Sequence, residues 1–148
     1  MPGHRTSGVG RALKLRQRED ALEREIPLVL DADALNLLGA DPGLQPKCAR
    51  RTAPTLLTPH PAEAARLLGS TIGAVQRDRL ATTGQIATRF HACAALKGVG
   101  TVCAGHDGRW AINTSGNPGL ASAGMGDVLS GILGALLAQG ANAETALT

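Results

Sequence analysis

At 148 residues and a net charge of +3, the chain is the size of one domain, long enough to bury a core and too weakly charged to argue for a polyanion partner. Phe90 and Trp110 are its only Phe, Tyr or Trp residues, which argues against base stacking on aromatic platforms and leaves the core to Leu, Ile, Val and Ala. Cys48, Cys93 and Cys103 lack paired zinc spacing and read as reduced thiols. Residues 1–10 do not read as a signal peptide, and residues 128–138 are too short and glycine-broken to span a membrane.

Residues 1–25 are polar and mixed in charge, and 11–25 offer a helix only a weak apolar face of Leu13, Ala21 and Leu22. Residues 26–30 are a short apolar run that stops at Asp31 and reads as a buried parallel strand. Asp33 is placed to cap a short helix through Leu38, closed by Gly39. A second short strand spans 55–58. Pro61 then suits the first turn of a helix over 62–68 that Gly69 closes. A longer helical stretch covers 72–91, and 94–97 is a third strand. Residues 101–104 and 109–113 pair as a hairpin through the turn Gly105-His-Asp-Gly108. A glycine-rich loop, 115–126, leads into a helix over 127–139. Its apolar residues, Val128, Leu129, Ile132, Leu133, Leu136 and Leu137, fall on one face, Gly131 and Gly134 leave room for a close neighbour, and Gly140 ends it. A new helical pattern starts at 141. Strands alternating with helices make an α/β layered sheet.

The sharpest chemical signal is the run GNPGLASAGMGDVL from Gly116. A glycine-rich loop entering a helix aims backbone N–H groups outward at the positive end of the helix dipole, a ready anion site. Asp127 follows at once. A carboxylate there repels a bound phosphate, and the role that offsets this is taking the proton from a hydroxyl that attacks the phosphoryl group. Stabilising the first helical turn is the plainer alternative, and the local pattern leaves both open. In Lys97-Gly-Val-Gly-Thr101 the glycines let the backbone approach a ligand, with Lys and Thr as donors to phosphate. A connecting turn with a solvated Lys explains the same residues. His60 and Glu63, in TPHPAE, suit a polar ligand, a metal or a helix cap, and the two prolines flanking His60 hold it rigidly, which favours binding. His4, His91 and His106 have no such setting and read as surface residues. Ligands of open parallel sheets sit beyond the carboxyl ends of strands. Capping explains Asp33, whereas Asp31 is a candidate for the site or a metal.

Taken in order, LVLDADALNLL from Leu28, LTPHPAE from Leu57, LKGVGT from Leu96 and GNPGLASAGMGDVLSG from Gly116 resemble the ADP/ATP-dependent NAD(P)H-hydrate dehydratases over residues 27–140. The resemblance implies an α/β, ribokinase-like layered fold, with a mostly parallel central sheet flanked by helices. It implies a cytoplasmic carbon–oxygen lyase that dehydrates hydrated NADH or NADPH at the expense of ADP or ATP, with Mg²⁺ bridging the phosphates on ligands that the motifs do not assign. Lys97, Gly98, Val99, Gly100, Thr101 and Gly126 would line the adenine nucleotide. His60 would contact the hydrated dinucleotide, and Asp127 would bind its reacting hydroxyl and act as base. The implied partners are this small-molecule substrate and further copies of the chain, with neither nucleic acid nor membrane.

Two departures from the family bear on the reading. Members usually carry an earlier part of the sheet and a glycine-rich substrate-binding motif, of which Ser7-Gly-Val-Gly10 reads as a remnant, and they carry further carboxy-terminal helices. Residues 1–148 are thus read as one partial domain, incomplete at both ends, with 1–25 matching weakly. A ribokinase-like kinase for another small molecule, or a nucleotide-binding fragment without catalysis, are the alternatives. On the dehydratase reading, His60, residues 97–101 and residues 124–127 converge on one cleft at the carboxyl ends of the strands.

Overall fold

The computed structural model describes residues 20–148. His4, the Ser7–Gly10 motif and most of the helix expected over 11–25 lie outside the described residues. Residues 20–23 are helical, and Leu22 is buried. Arg51 ties this segment to the body: its guanidinium donates to the carbonyls of Leu22 at 2.7 Å, Arg24 at 2.9 Å and Ile26 at 2.6 Å.

The elements follow as β1 (Leu28–Leu30), α1 (Asp33–Ala40), α2 (Leu44–Ala49), β2 (Thr55–Leu57), α3 (Pro61–Leu68), α4 (Ile72–Arg77), α5 (Arg79–Phe90), β3 (Cys93–Leu96), β4 (Val102–Ala104), β5 (Trp110–Ile112), α6 (Met125–Ala138) and α7 (Ala143–Leu147). A short 3₁₀ turn, Pro118–Leu120, lies in the glycine-rich loop. The five strands pair in chain order. β1, β2 and β3 are parallel, with Val29 opposite Leu56 and Leu57 opposite Ala94. β3, β4 and β5 are antiparallel, with Ala95 opposite Cys103 and Cys103 opposite Ala111. The parallel half comes from helical crossovers, which antiparallel hairpins do not need.

Alternation along the strands sends neighbouring side chains to opposite faces. On one face Leu30, Leu57, Ala94 and Leu96 pack with Leu35, Leu38, Leu67, Ile86, Ala87 and Phe90 of the helices before β3. On the other, Leu56 and Cys93 pack with Leu133 and Leu137 of α6 and Ala146 of α7. The layered α/β class read from the sequence is the observed one. All three cysteines are free and buried.

Several local expectations are corrected. Asp33 is the first residue of α1 and makes no side-chain cap; the helix runs through Gly39 to Ala40. Gly39 serves packing, because a Cβ there would stand 3.4 Å from the backbone of Arg66 in α3. The stretch over 72–91 is two helices, because Asp78 leaves helical geometry and its carboxylate accepts from Ala81 N–H at 2.9 Å to cap α5. Helix α2 is not among the elements expected from the sequence; burial of Leu44 and Cys48 holds it. The apolar residues of α6 do not share one buried face: Leu133 is 2% exposed, but Val128, Ile132 and Leu136 are 51%, 54% and 36% exposed. A Cβ at Gly131 or Gly134 meets nothing within 4 Å, so neither position admits a close neighbour among the described residues.

Candidate functional site

Because β1, β2 and β3 are parallel, the residues that leave their carboxyl ends share one rim: Asp31 after β1, Thr58 to His60 after β2, and Lys97 after β3. β1 and β3 are two strand spacings apart, roughly 10 Å. Lys97 spans that gap over the end of β2, and its Nζ donates to Asp31 Oδ1 at 2.7 Å. The other carboxylate oxygen, Oδ2, accepts from the Ser130 hydroxyl of α6 at 3.0 Å. The first turn of α6 closes over this pair. A Cβ at Gly126 would lie 3.4 Å from Asp31 Oδ2 and 3.6 Å from Lys97 Nζ, so only a bare glycine backbone leaves the pair uncovered there.

Burial alone raises the Asp31 carboxyl, but the hydrogen bond and charge of Lys97, with the hydroxyls of Ser130 and Thr58, outweigh it and hold the group below its ordinary value. Lys97 is fixed by its backbone as well. Its N–H donates to Pro59 O at 2.8 Å. On the other side, Arg79 Nη2 donates to the carbonyls of Leu96 at 2.9 Å and Lys97 at 3.4 Å. Burial lowers the Arg79 guanidinium from its usual value, and its buried Nε has no hydrogen-bond partner among the described residues. The guanidinium lies under Gly98, where a Cβ would meet it at 3.1 Å.

Beyond Lys97 the loop turns outward. Val99 is fully exposed, Gly100 has a left-handed φ of 64°, and Thr101 Oγ1 donates back to Gly98 O at 3.1 Å. Gly124, with φ of 87°, supplies the backbone twist that starts α6, where no side chain caps the free N–H groups. Asp127 sits exposed in that first turn, one residue beyond Gly126.

His60 stands on the same rim, next to the Pro59 carbonyl that holds Lys97. Its Nδ1 accepts from Ala62 N–H at 3.1 Å and Glu63 N–H at 3.4 Å, while Glu63 Oε2 accepts from His60 N–H at 2.9 Å, forming a capping box. Accepting at Nδ1 leaves the ring proton of neutral His60 on Nε2, which lies 3.3 Å from Glu63 Oε1. Glu63 is buried and occupied by this cap, while the His60 side chain is 48% exposed to the rim. α3 packs on one face of the sheet and α6 on the other, so His60 and Asp127 approach the rim from opposite faces, which counts against the expected convergence of both on one cleft. Lys97, Gly126 and Asp31 are thus in contact, His60 and Asp127 border them, and Val99 and Thr101 turn away. Ser130 and Arg79 escaped the sequence reading; a serine one turn into a helix and an arginine at a helix start carry no local sign of their partners.

Elsewhere, a groove of about 270 Å³ opens at the amino end of β3, lined by Cys93, Cys103, Arg109, Trp110 and Glu144 among others. Burial first, then the Glu144 and Asp107 charges, push the Cys93 thiol up to about 11, so it is no thiolate at neutral pH. His91 and His106 are exposed, as expected, with ring centroids 4.0 Å apart. Among the described residues no three His, Cys, Asp or Glu side chains come together as a metal cage, and no helix is long and apolar enough to cross a membrane.

Residues 7–148 match the family model described as NAD(P)H-hydrate dehydratase. The chain is 54% identical over 114 residues to an ADP-dependent (S)-NAD(P)H-hydrate dehydratase of Neisseria meningitidis, covering 77% of this chain and 38% of that protein. Among solved structures, a Bacillus subtilis ADP/ATP-dependent NAD(P)H-hydrate dehydratase co-crystallised with ATP/Mg²⁺ superposes with a TM-score of 0.73 at 30% identity, over 96% of this chain and 47% of that one. A ribokinase-like superfamily protein of Enterococcus faecalis gives 0.69 at 28% identity, over 94% and 46%. The chain thus spans less than half the length of each of these relatives.

Proposed function

The chain belongs to the NAD(P)H-hydrate dehydratase family, and from that premise we propose that it returns hydrated NADH or NADPH to the dihydronicotinamide form with ADP, or ATP, as phosphoryl donor. Hydroxide is a poor leaving group. Transfer of the terminal phosphoryl group to the ring hydroxyl forms an O–P bond, breaks the donor's P–O bond and releases the hydroxyl proton. Elimination then breaks the ring C–O bond and a C–H bond on the neighbouring ring carbon, which releases inorganic phosphate and a proton and restores the double bond.

The observation that carries this reading is the contact between Lys97, Asp31 and Gly126 beside Asp127. An ammonium and an open helix N-terminus face the same point, where a transferring phosphoryl group needs positive charge. In this reading Lys97 and Gly126 hold the phosphates, and the backbone of Gly98, Val99, Gly100 and Thr101 lines the nucleotide. His60 binds the hydrated dinucleotide from the α3 side, and Asp127 takes the hydroxyl proton. Mg²⁺ supplies charge neutralisation when bound. The residues present fit a cation held mainly by phosphate oxygens and water, with the exposed Asp127 carboxylate available and no protein cage required.

The same reading places the chain in the cytoplasm as part of one domain, and has copies of it associate. The apolar stripe Val128, Ile132 and Leu136 on α6 supports association. A turnover assay offering hydrated NADH and a panel of sugars, each with ADP or ATP, separates this reading from its alternatives. The expected result is consumption of the hydrate alone. Phosphorylation of a sugar would identify a kinase, and ADP binding without turnover of any substrate would leave a binding module.

A further inference from the structure

We propose that Asp31 is a positioning residue for the phosphate site: its carboxylate ties the Lys97 ammonium to α6, so that cation and helix N-terminus are assembled before a nucleotide arrives. The inference rests on the reading that Lys97 meets the phosphates. It goes further by assigning a role to a residue that follows β1, outside both glycine motifs.

A lysine side chain has four rotatable carbons and loses much rotamer freedom when it is ordered. On this rim that ordering is already done. The Lys97 N–H is held by Pro59 O, its carbonyl by Arg79, and its Nζ by Asp31 at 2.7 Å. Asp31 uses its two oxygens differently: Oδ1 takes Lys97, while Oδ2 takes Ser130 at 3.0 Å and so fixes the first turns of α6 against the strand ends. Three elements are thereby joined through one carboxylate: the end of β1, Lys97 after β3 and Ser130 of α6. An ammonium has three N–H donors. Asp31 takes one, and the other two have no hydrogen-bond partner among the described residues, so they are available to phosphoryl oxygens. The Lys97 side chain is 23% exposed and that of Asp31 13%, so the cation reaches solvent while its orienter lies beneath it. Gly126 keeps that opening clear.

A carboxylate near a polyphosphate would otherwise oppose binding, and this gives the test its sign. ADP affinity of the full chain is measured by titration calorimetry for the wild type, Asp31→Asn, Lys97→Ala and the double variant, with circular dichroism to verify folding. Asp31→Asn keeps the shape and can still accept from Ser130; Asp31→Glu is a second variant that retains the charge. Lys97→Ala is expected to weaken ADP binding roughly tenfold or more, the effect of a lost charge-assisted hydrogen bond. Asp31→Asn is expected to weaken it severalfold in the wild-type background and by less than about twofold once Lys97 is gone, because Asp31 acts through Lys97. Asp31→Glu should recover part of the loss. Equal losses in both backgrounds would mark Asp31 as merely structural, and tighter binding by Asp31→Asn would mark it as a repulsive charge; either result overturns the proposal. Wild-type chain that takes up no ADP, or Lys97→Ala without effect, would sink the nucleotide reading of the rim and this inference with it. A loss at Lys97 with none at Asp31 would sink the inference alone.

Discussion

Asp127 stands one residue past the glycine that leaves the Asp31–Lys97 pair open, and its carboxylate makes no hydrogen bond or ion pair among the described residues. An unengaged carboxylate at a helix N-terminus is stabilised by the dipole and free to accept a proton. General-base help is worth roughly 10²–10⁴-fold in rate. Asp127→Asn is therefore expected to cut hydrate turnover by at least about 10²-fold, with ADP affinity nearly unchanged; full turnover with a lower melting temperature would make Asp127 only a helix-stabilising group. Gly126 and Gly124 separate by mechanism. At Gly126 a methyl fits at ordinary contact distance but covers the ion pair, so Gly126→Ala should keep stability and weaken ADP binding. At Gly124, φ of 87° strains any other side chain, so Gly124→Ala should cost about 1–2 kcal/mol in a denaturant titration. Asp31 also sets a pH dependence. Its folded pKa lies below the ordinary value of 3.8, so its contribution is complete above that value and is lost as pH falls through the lower folded one. Urea unfolding between about pH 5 and pH 2 should show stability falling with acid, and falling less steeply in Asp31→Asn. The glycine turns at Gly100 and Gly124 were legible in the sequence because turn chemistry is local. The partners of Asp31 were not, because Lys97 and Ser130 lie 66 and 99 residues away and only the sheet brings them together.

At the scale of elements, the strands were legible because short β-rich apolar runs end in polar turn residues, and α3 was legible because Pro61 and Gly69 mark both its ends. What escaped was set by tertiary contact. Helix α2 contains Pro46, and only burial of Leu44 and Cys48 holds it, which local propensity does not report. The break at Asp78 was hidden by helical residues on both sides; the structure shows it to be a cap. Asp78→Ala should accordingly cost about 1 kcal/mol. On α6, six apolar residues suggested one buried face, yet burial divides them. Leu133→Ala, at a 2% exposed position against Leu56 and Cys93, should destabilise by about 2–5 kcal/mol in chemical denaturation.

Among the described residues β1 is an edge strand of the sheet, and α6, which carries the apolar stripe, packs on the face that holds Leu56. Such a surface favours association. Sedimentation velocity is expected to show species larger than a monomer, and Ile132→Glu to shift them toward the monomer; a monomeric wild type at all concentrations would count against the stripe as an interface. The rim itself is built from three parallel strand ends and one helix N-terminus, so its chemistry depends on the sheet holding register rather than on any single loop. The reaction that this rim is proposed to perform has a fixed stoichiometry, which neither a kinase nor a binding module reproduces. The decisive measurement supplies the full chain with hydrated NADH and ADP and quantifies NADH, AMP and inorganic phosphate over the same interval. One AMP and one inorganic phosphate for each NADH recovered is the expected result, with no recovery when ADP is left out. ADP bound at the rim with no NADH formed, or NADH formed without AMP and phosphate, would contradict the account.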